Sequence, residues 1–309
     1  MSKHKSEIFR AKNFWHPRYW IMWVSIGLLR LASLLPFPAI LTVARNLGQL
    51  LRHLSPSRQH IVDTNLKRCF PEFDETKLTQ IKIQCYDNIG ISLMEMAMCW
   101  WWEPEKLKPM VEIRGQHHID KVLESGRGVI LLTGHFTSLE IGARLLALFM
   151  PVQVMYRAQR NRLFDSYLFT RRSGYFVNTV SRKNTRRLIK GIKTGIPTWY
   201  APDQDFRRER NAFVPFMGIQ TATITATSRL AQSSGGVILP YFPERKLDGS
   251  GYILWIEAPI ETIPSGNDEN DAVAINQSIE KFVRQHPSQY AWVHQRFKTR
   301  PPGEPEFYL

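Results

Sequence analysis

Cysteine is scarce in this chain of 309 residues, acids are outnumbered, and no repeat, long linker or low-complexity tract interrupts it. The three cysteines, Cys69, Cys85 and Cys99, are odd in number and none lies close to another. That spacing fits neither a disulfide framework nor a zinc site, so reduced structural thiols and no bound metal are expected. No small-residue cleavage site follows the first apolar run, so no secretory signal is read and the catalytic part is expected in a reducing, cytoplasmic environment. Acidic residues number 27 against 41 Lys and Arg, a net charge of +14. A surplus of that size implies an anionic partner, whether nucleic acid, anionic lipid, a phosphorylated substrate or an acidic protein. General disorder is excluded, because 43% of residues are hydrophobic and 22% charged.

Residues 19–38, YWIMWVSIGLLRLASLLPFP, are about the length needed to cross a bilayer core. Arg30 interrupts them, and a central arginine costs ~2.5–3.5 kcal/mol on insertion scales. Trp15, Tyr19, Trp20 and Trp23 are of the aromatic types favoured at a headgroup boundary. Lys3, Lys5, Arg10, Lys12 and Arg18 precede the run, as suits an anionic cytoplasmic leaflet. A hydrophobic membrane-anchor helix is therefore expected, either spanning the bilayer or half-inserted. Pro36 and Pro38 end it. The next stretch, 39–54, places Ile40, Leu41, Ala44, Leu47 and Leu51 on one side and Arg45 and Arg52 on the other, an amphipathic helix packed on a core or on a membrane. Residues 1–55 thus form an anchor region and 56–309 one catalytic domain.

Residues 74–102 read as a helix ending in MCWWW, and three adjacent tryptophans cannot share one helix face. Some must meet lipid, a ligand or another element. From residue 111 short apolar strands alternate with helices: VEIRG, a helix near 117–125, GVILLT (128–133), a helix over 138–149 and VQVMYR (152–157). Helices near 161–172 and 183–193 follow, then IPTWYAP (196–202), a helix near 222–233, GVILPYF (236–242), GYILWI (251–256) and a helix over 270–286. Alternation of this kind predicts an α/β fold with a mostly parallel central sheet flanked by helices. Ligands of such sheets bind outside the carboxyl ends of the strands.

LLTGHFTSLE, residues 131–140, stands at one of those ends. Its apolar run suits a strand covered on both faces. Gly134 permits a sharp turn, and Thr137 or Ser138 can cap the following helix. Glu140, one turn into that helix, is expected to reach back to His135, fixing its tautomer and stabilising the imidazolium. Histidine suits general-base work, with an ordinary pKa near 6.5. On local spacing alone a structural histidine is the competing reading.

GHFTSLE resembles the H-x4-D/E signature of the lysophospholipid-type acyltransferase superfamily. NLKRCFPE (65–72), VMYRAQRNRLFD (154–165), TWYAPDQDF (198–206), FVPFMGIQTAT (213–223) and WVHQRFKTRPPGEPEFY (292–308) are similar to its lipid A late acyltransferases, of the Kdo-dependent lauroyl and palmitoleoyl type. The resemblance runs from about residue 10 to the end. It implies transfer of a fatty acyl chain from acyl carrier protein, without a further cofactor, to a hydroxyl of a 3-hydroxyacyl chain on a Kdo-bearing lipid A precursor. His135 would remove the hydroxyl proton, oriented by Glu140. Arg157 or backbone N–H groups at the helix start would stabilise the oxyanion. Asp203 would hold Arg157, substrate or backbone. For Arg157 and Asp203 an ion pair or a turn cap is the plain alternative.

Residues 157–193 contain eleven Lys or Arg, including Arg160, Arg186 and Arg187, and one acid, Asp165. A solvated surface normally mixes signs. With the resemblance, the segment becomes a contact for acyl carrier protein, for the acceptor's phosphates and Kdo carboxylates, or for the leaflet; arginine matches such anions with its planar fork. Arg296, Lys298 and Arg300 add a further anion contact. No nucleic-acid motif accompanies the charge. The expectation is an acyltransferase of lipid A biosynthesis at the cytoplasmic face of the inner membrane. The alternatives are a glycerolipid acyltransferase and a non-enzymatic, membrane-tethered anion binder.

Overall fold

The computed structural model describes residues 7–205 and 211–309. Lys3, Lys5 and Phe206 lie outside the described residues. The chain opens with three helices, α1 (Trp20–Ala32), α2 (Phe37–Leu54) and α3 (Pro56–Cys69), followed by the long α4 (Glu75–Trp101) and the short α5 (Pro104–Leu107). Strands and helices then alternate: β1 (Val111–Arg114), α6 (Gln116–Glu124), β2 (Val129–Leu132), α7 (Leu139–Leu146), β3 (Gln153–Tyr156), α8 (Arg162–Tyr175), β4 (Asn178–Ser181), α9 (Thr185–Lys193) and β5 (Thr198–Tyr200). After a hairpin of β6 (Asn211–Phe216) and β7 (Ile219–Ile224) come α10 (Ala226–Ser234), β8 (Val237–Arg245), β9 (Tyr252–Ile256) and α11 (Asp268–Gln285).

Seven strands form one sheet in the order β1-β9-β8-β2-β5-β3-β4, parallel except where β8 meets β9. The expected mostly parallel sheet with flanking helices is therefore present. Strand β2 explains its own apolar run. Val129 and Leu131 face one apolar layer, Ile130 and Leu132 the other, and all four are fully buried. Each such side chain contributes roughly 1.5–3 kcal/mol by burial.

Three segments of the α/β region differ from the sequence expectation: β4 and the β6–β7 hairpin were not anticipated, and residues 222–224, expected to begin a helix, complete β7. The β6–β7 hairpin turns at Met217 and Gly218, both with positive φ, the geometry that matches strand twist in two-residue hairpins.

The apolar run expected over 19–38 is broken. α1 has 13 residues, a turn follows, and Pro36 and Pro38 open α2 instead of continuing α1. No helix among the described residues is long and apolar enough to cross a membrane. α2 packs closely on α4 through two glycines: a Cβ on Gly48 would come 2.0 Å from the Tyr86 carbonyl oxygen, and one on Gly90 1.9 Å from that of Ala44. Phe14, Tyr19, Ile26, Ile40 and Ala44 share an apolar cluster with β2. Of the three tryptophans, Trp100 and Trp101 meet edge to face at 5.5 Å and Trp102 turns away toward Ser33. Trp100 meets Tyr167 and Phe164, Trp101 lies near Arg30 and Arg171, and Trp102 donates to the Ser33 carbonyl at 2.8 Å.

Candidate active site

Four parallel strands deliver their carboxyl ends to one cavity of about 690 Å³. His135 follows β2, Arg157 follows β3, Arg182 follows β4, and Ala201 and Gln204 follow β5; all line it. Leu139, Val154, Met155, Phe164 and Trp199 supply apolar wall, while Arg157, Gln159, Arg160, Arg172 and Arg182 supply polar wall. The loop after β3 is fixed by Asp165, whose Oδ1 accepts from the Gln159 N–H at 2.6 Å and from the Tyr156 hydroxyl at 2.8 Å.

The segment carrying His135 is not helical. The Thr133 N–H still donates to Tyr200, extending the pairing of β2 with β5. Residues 135–137 then lie against 289–291: the Ala291 N–H donates to the His135 carbonyl at 2.9 Å, and the Thr137 N–H to Gln289 at 2.8 Å. Ser138 occupies the N-cap of α7, but neither it nor Thr137 makes a side-chain capping hydrogen bond there. Their hydroxyls donate instead to the carbonyls of Gln289 and Pro243. Gly134 does not occupy the left-handed region. Its missing side chain matters for space, since a Cβ would sit 2.9 Å from Ile279 Cγ2 and 3.2 Å from Asp203 Oδ2.

The carboxylate on His135 belongs to Asp203. Asp203 Oδ1 lies 2.5 Å from His135 Nδ1, and Oδ2 accepts from the His135 backbone N–H at 2.7 Å and from the Tyr290 hydroxyl at 2.8 Å. Burial raises the Asp203 pKa, but the adjacent imidazole and these hydrogen bonds outweigh it and hold the carboxyl at about 2. An ionised carboxylate only accepts, so Nδ1 carries a proton, and in the neutral form of the ring the lone pair is on Nε2. Tyr290 is pushed above the usual phenol range by burial and by the Asp203 charge, so it remains a donor.

Glu140 does not reach His135 as expected. Its carboxylate accepts two hydrogen bonds from the Arg172 guanidinium, through Nε at 3.1 Å and through Nη2, and a third from Tyr175 at 2.9 Å. The two residues are five apart, and α7 begins at Leu139, after His135, so no shared helix face brings them together. Burial opposes ionisation of Glu140, yet Arg172 and Tyr175 keep its pKa below the ordinary value.

The remaining expected site residues divide. Arg157 and Arg160 are exposed at the cavity, and Arg186 and Arg187 are exposed on α9, with Arg187 donating to Asn178 at 2.6 Å. Arg296 is not available to an anion. It is 3% exposed, donates to the Ala222 carbonyl and Thr223 hydroxyl, and lies over the Phe216 ring. Arg300 pairs with Glu304 and donates to the Gln220 carbonyl, and Lys298 contacts Gln295 at the surface. Tyr290 and His294 were not singled out as site residues, and Arg172, counted in the basic segment as an anion contact, bonds Glu140 instead. The His294 ring centroid is 5.8 Å from that of His135, and desolvation, with His135 beside it, pushes its pKa down to about 4. A histidine within a recognised motif was the available signal for it.

Comparison with known proteins now applies to this geometry. The model of the bacterial lipid A biosynthesis acyltransferases matches residues 8–299. The chain belongs to that family. It is 37% identical over 294 residues to the lipid A biosynthesis lauroyltransferase of Escherichia coli strain K12, covering 95% of this chain and 96% of the relative. It is 34% identical to that organism's palmitoleoyltransferase, over 97% and 98% of the two chains. To its myristoyltransferase it is 30% identical, over 96% and 93%. The protein is thus an acyltransferase of lipid A biosynthesis, and His135, Asp203 and the cavity belong to the region the family model covers.

Proposed function

We propose that this acyltransferase moves a fatty acyl chain from acyl carrier protein to a hydroxyl on a 3-hydroxyacyl chain of a Kdo-bearing lipid A precursor. The observation behind this reading is the Asp203–His135 pair, whose imidazole opens on a cavity with apolar and arginine-lined walls. Nε2 takes the acceptor's hydroxyl proton, and the oxygen attacks the thioester carbonyl. Collapse of the tetrahedral intermediate breaks the C–S bond. The carrier thiolate leaves and receives the proton from the imidazolium. Asp203 holds the tautomer and stabilises the transient positive charge. Arg157 is the oxyanion stabiliser, placed at the end of β3 on the same cavity.

The exposed arginines around the cavity and on α9 fit an acidic carrier protein and the acceptor's phosphates and carboxylates. The enzyme acts at the cytoplasmic face of the inner membrane, where both substrates meet. The test is transfer from acyl-loaded carrier protein to a tetraacyl, Kdo-containing precursor, followed by mass spectrometry. Wild-type protein should add one acyl chain as an ester, and His135→Ala should lose nearly all turnover. Transfer by His135→Ala at the wild-type rate would refute the general-base role.

A further inference from the structure

A buried polar cluster touches the segments that carry His135 and Tyr290, yet none of its residues lines the active-site cavity. Its centre is an ion pair between Glu95 on α4 and Arg245 at the end of β8, 1% and 5% exposed. The guanidinium donates to both carboxylate oxygens, Nε to Oε1 at 2.7 Å and Nη2 to Oε2 at 2.8 Å. The Tyr252 hydroxyl also donates to Oε1, at 2.8 Å. Nη1 donates to Asn88 Oδ1 and, at 3.3 Å, to the Thr137 hydroxyl. Each guanidinium nitrogen therefore has an acceptor.

Gln289 joins this cluster to the site. Its side chain, 2% exposed, meets the Arg245 backbone twice: Oε1 accepts from the N–H at 2.9 Å, and Nε2 donates to the carbonyl at 2.8 Å. One side chain thus makes the exchange of bonds that a paired antiparallel residue would make. The Gln289 carbonyl accepts from the Thr137 N–H and hydroxyl, and the next residue, Tyr290, donates to Asp203. Asn88 Nδ2 donates to the Ser288 carbonyl at 2.9 Å, tying the same segment to α4.

Stability alone does not account for such a cluster. Replacing a buried ion pair by apolar side chains of similar volume is often neutral or stabilising, whereas a fully matched polar network fixes one arrangement. The arrangement fixed here is that of the β8 end against residues 135–137 and 288–290. We propose that Gln289, locked to β8 by the Arg245–Glu95 cluster, is a positioning residue for acyl transfer, acting on the Asp203–His135 pair through Tyr290 and the 135–137 backbone. The proposal rests on the general-base reading of His135.

Gln289→Met keeps the side-chain length and removes both of its hydrogen bonds. In transfer from acyl-loaded carrier protein to the tetraacyl, Kdo-containing precursor, its kcat should fall by about tenfold or more, because a misplacement of about 1 Å can cost roughly 10²-fold. KM for donor and acceptor should each stay within about twofold, since the cluster does not line the cavity. The double variant Gln289→Met/Tyr290→Phe should be little slower than the slower single variant, as expected of two residues acting on one carboxylate. Asn88→Ala, altered at a half-buried site on α4, serves where Gln289→Met does not fold, and should show the same fall in kcat at unchanged KM. A folded variant with kcat within about threefold of wild type, or a loss confined to KM, overturns the proposal. So does a double variant whose loss is the product of the two single losses. His135→Ala, assayed beside them, separates the two readings. Wild-type turnover there sinks the general base itself, whereas loss there with none in Gln289→Met sinks only the role of Gln289.

Discussion

Asp203→Asn isolates what the carboxylate does for His135. Oδ2 accepts two donors, the His135 N–H and the Tyr290 hydroxyl, whereas Oδ1 accepts one, from Nδ1. In asparagine the carbonyl oxygen therefore stays at the Oδ2 position, and the amide NH2 faces the imidazole. Nδ1 must then accept, the ring proton moves to Nε2, and the lone pair that takes the acceptor's proton is gone. A tautomer inversion of this kind in a serine protease costs about 10⁴ in kcat, and a loss of order 10³–10⁴ is expected here with KM little changed. The folded protein also loses a depressed carboxyl. From an ordinary 3.8 to about 2, at 1.36 kcal/mol per pH unit, the difference is worth roughly 2.5 kcal/mol. Because the folded pKa is the lower one, that stability is present above about pH 4 and is lost as pH falls toward 2. Wild type and Asp203→Asn should thus converge in denaturant midpoint across that window. The assay is initial-rate acyl transfer at neutral pH, with urea melts from pH 5 to 2. A kcat within tenfold of wild type would refute the tautomer argument.

Tyr290→Phe removes one of the three hydrogen bonds on Asp203, and a drop of about tenfold in kcat is expected from a bond to a charged group worth roughly 1.5 kcal/mol; the pH–rate profile should move with it. Glu140→Ala strands the Arg172 guanidinium and should destabilise the fold by about 3 kcal/mol in urea melts, with Arg172→Ala costing a similar amount and the double variant less than the sum. Arg296→Ala should lower the melting temperature without raising the donor's KM, whereas Arg186→Glu/Arg187→Glu should raise that KM or weaken acceptor binding and leave stability nearly unchanged. His294 is neutral in the fold down to about pH 4 against an ordinary 6.5. The unfolded chain therefore binds the extra proton between those values, stability falls as pH drops through them, and His294→Gln should flatten that slope in pH-dependent melts.

Of the strands that build the cavity, β2, β3 and β5 were legible as short, mostly apolar runs buried on both faces. β4, with the sequence NTVS, is a half-polar edge strand with one buried residue, and nothing local separates it from a loop. In β7 the run IQTATI leads into ATSRLA without a breaker, so the strand was absorbed into the helix that follows it. His135 was legible from its motif, and Asp203 from a segment that resembles the family's. Their contact was not, because the partner of a side chain at a strand end is set by strand order. Only the adjacency of β2 and β5 brings residues 135 and 203 together across 68 positions. Sequence spacing favours a local partner, which is why Glu140 was assigned to a role that its Arg172 contact precludes. Arg296 illustrates the converse: a cation in a basic run looks like a surface contact until burial shows otherwise.

The two carboxylates beside the cavity are both held below their ordinary pKa, yet for reasons that suit different tasks. Glu140 faces a guanidinium, which is charged in every state of the enzyme, so that pair is a fixed brace between α7 and α8. Asp203 faces an imidazole whose charge, in the proposed mechanism, changes during the reaction. A buried aspartate dependent on that charge alone would be poorly compensated in the resting enzyme. Its other two donors, the His135 N–H and the Tyr290 hydroxyl, are uncharged and constant. They add to the imidazole's own contribution in holding the carboxyl below its ordinary value, and they do not depend on the charge of the ring. Residues 289–291 thus support the site twice, by pairing with the backbone of 135–137 and by supplying the Tyr290 hydroxyl to Asp203. That dual role accounts for a C-terminal segment so far from the strand-end histidine in sequence belonging to the same site.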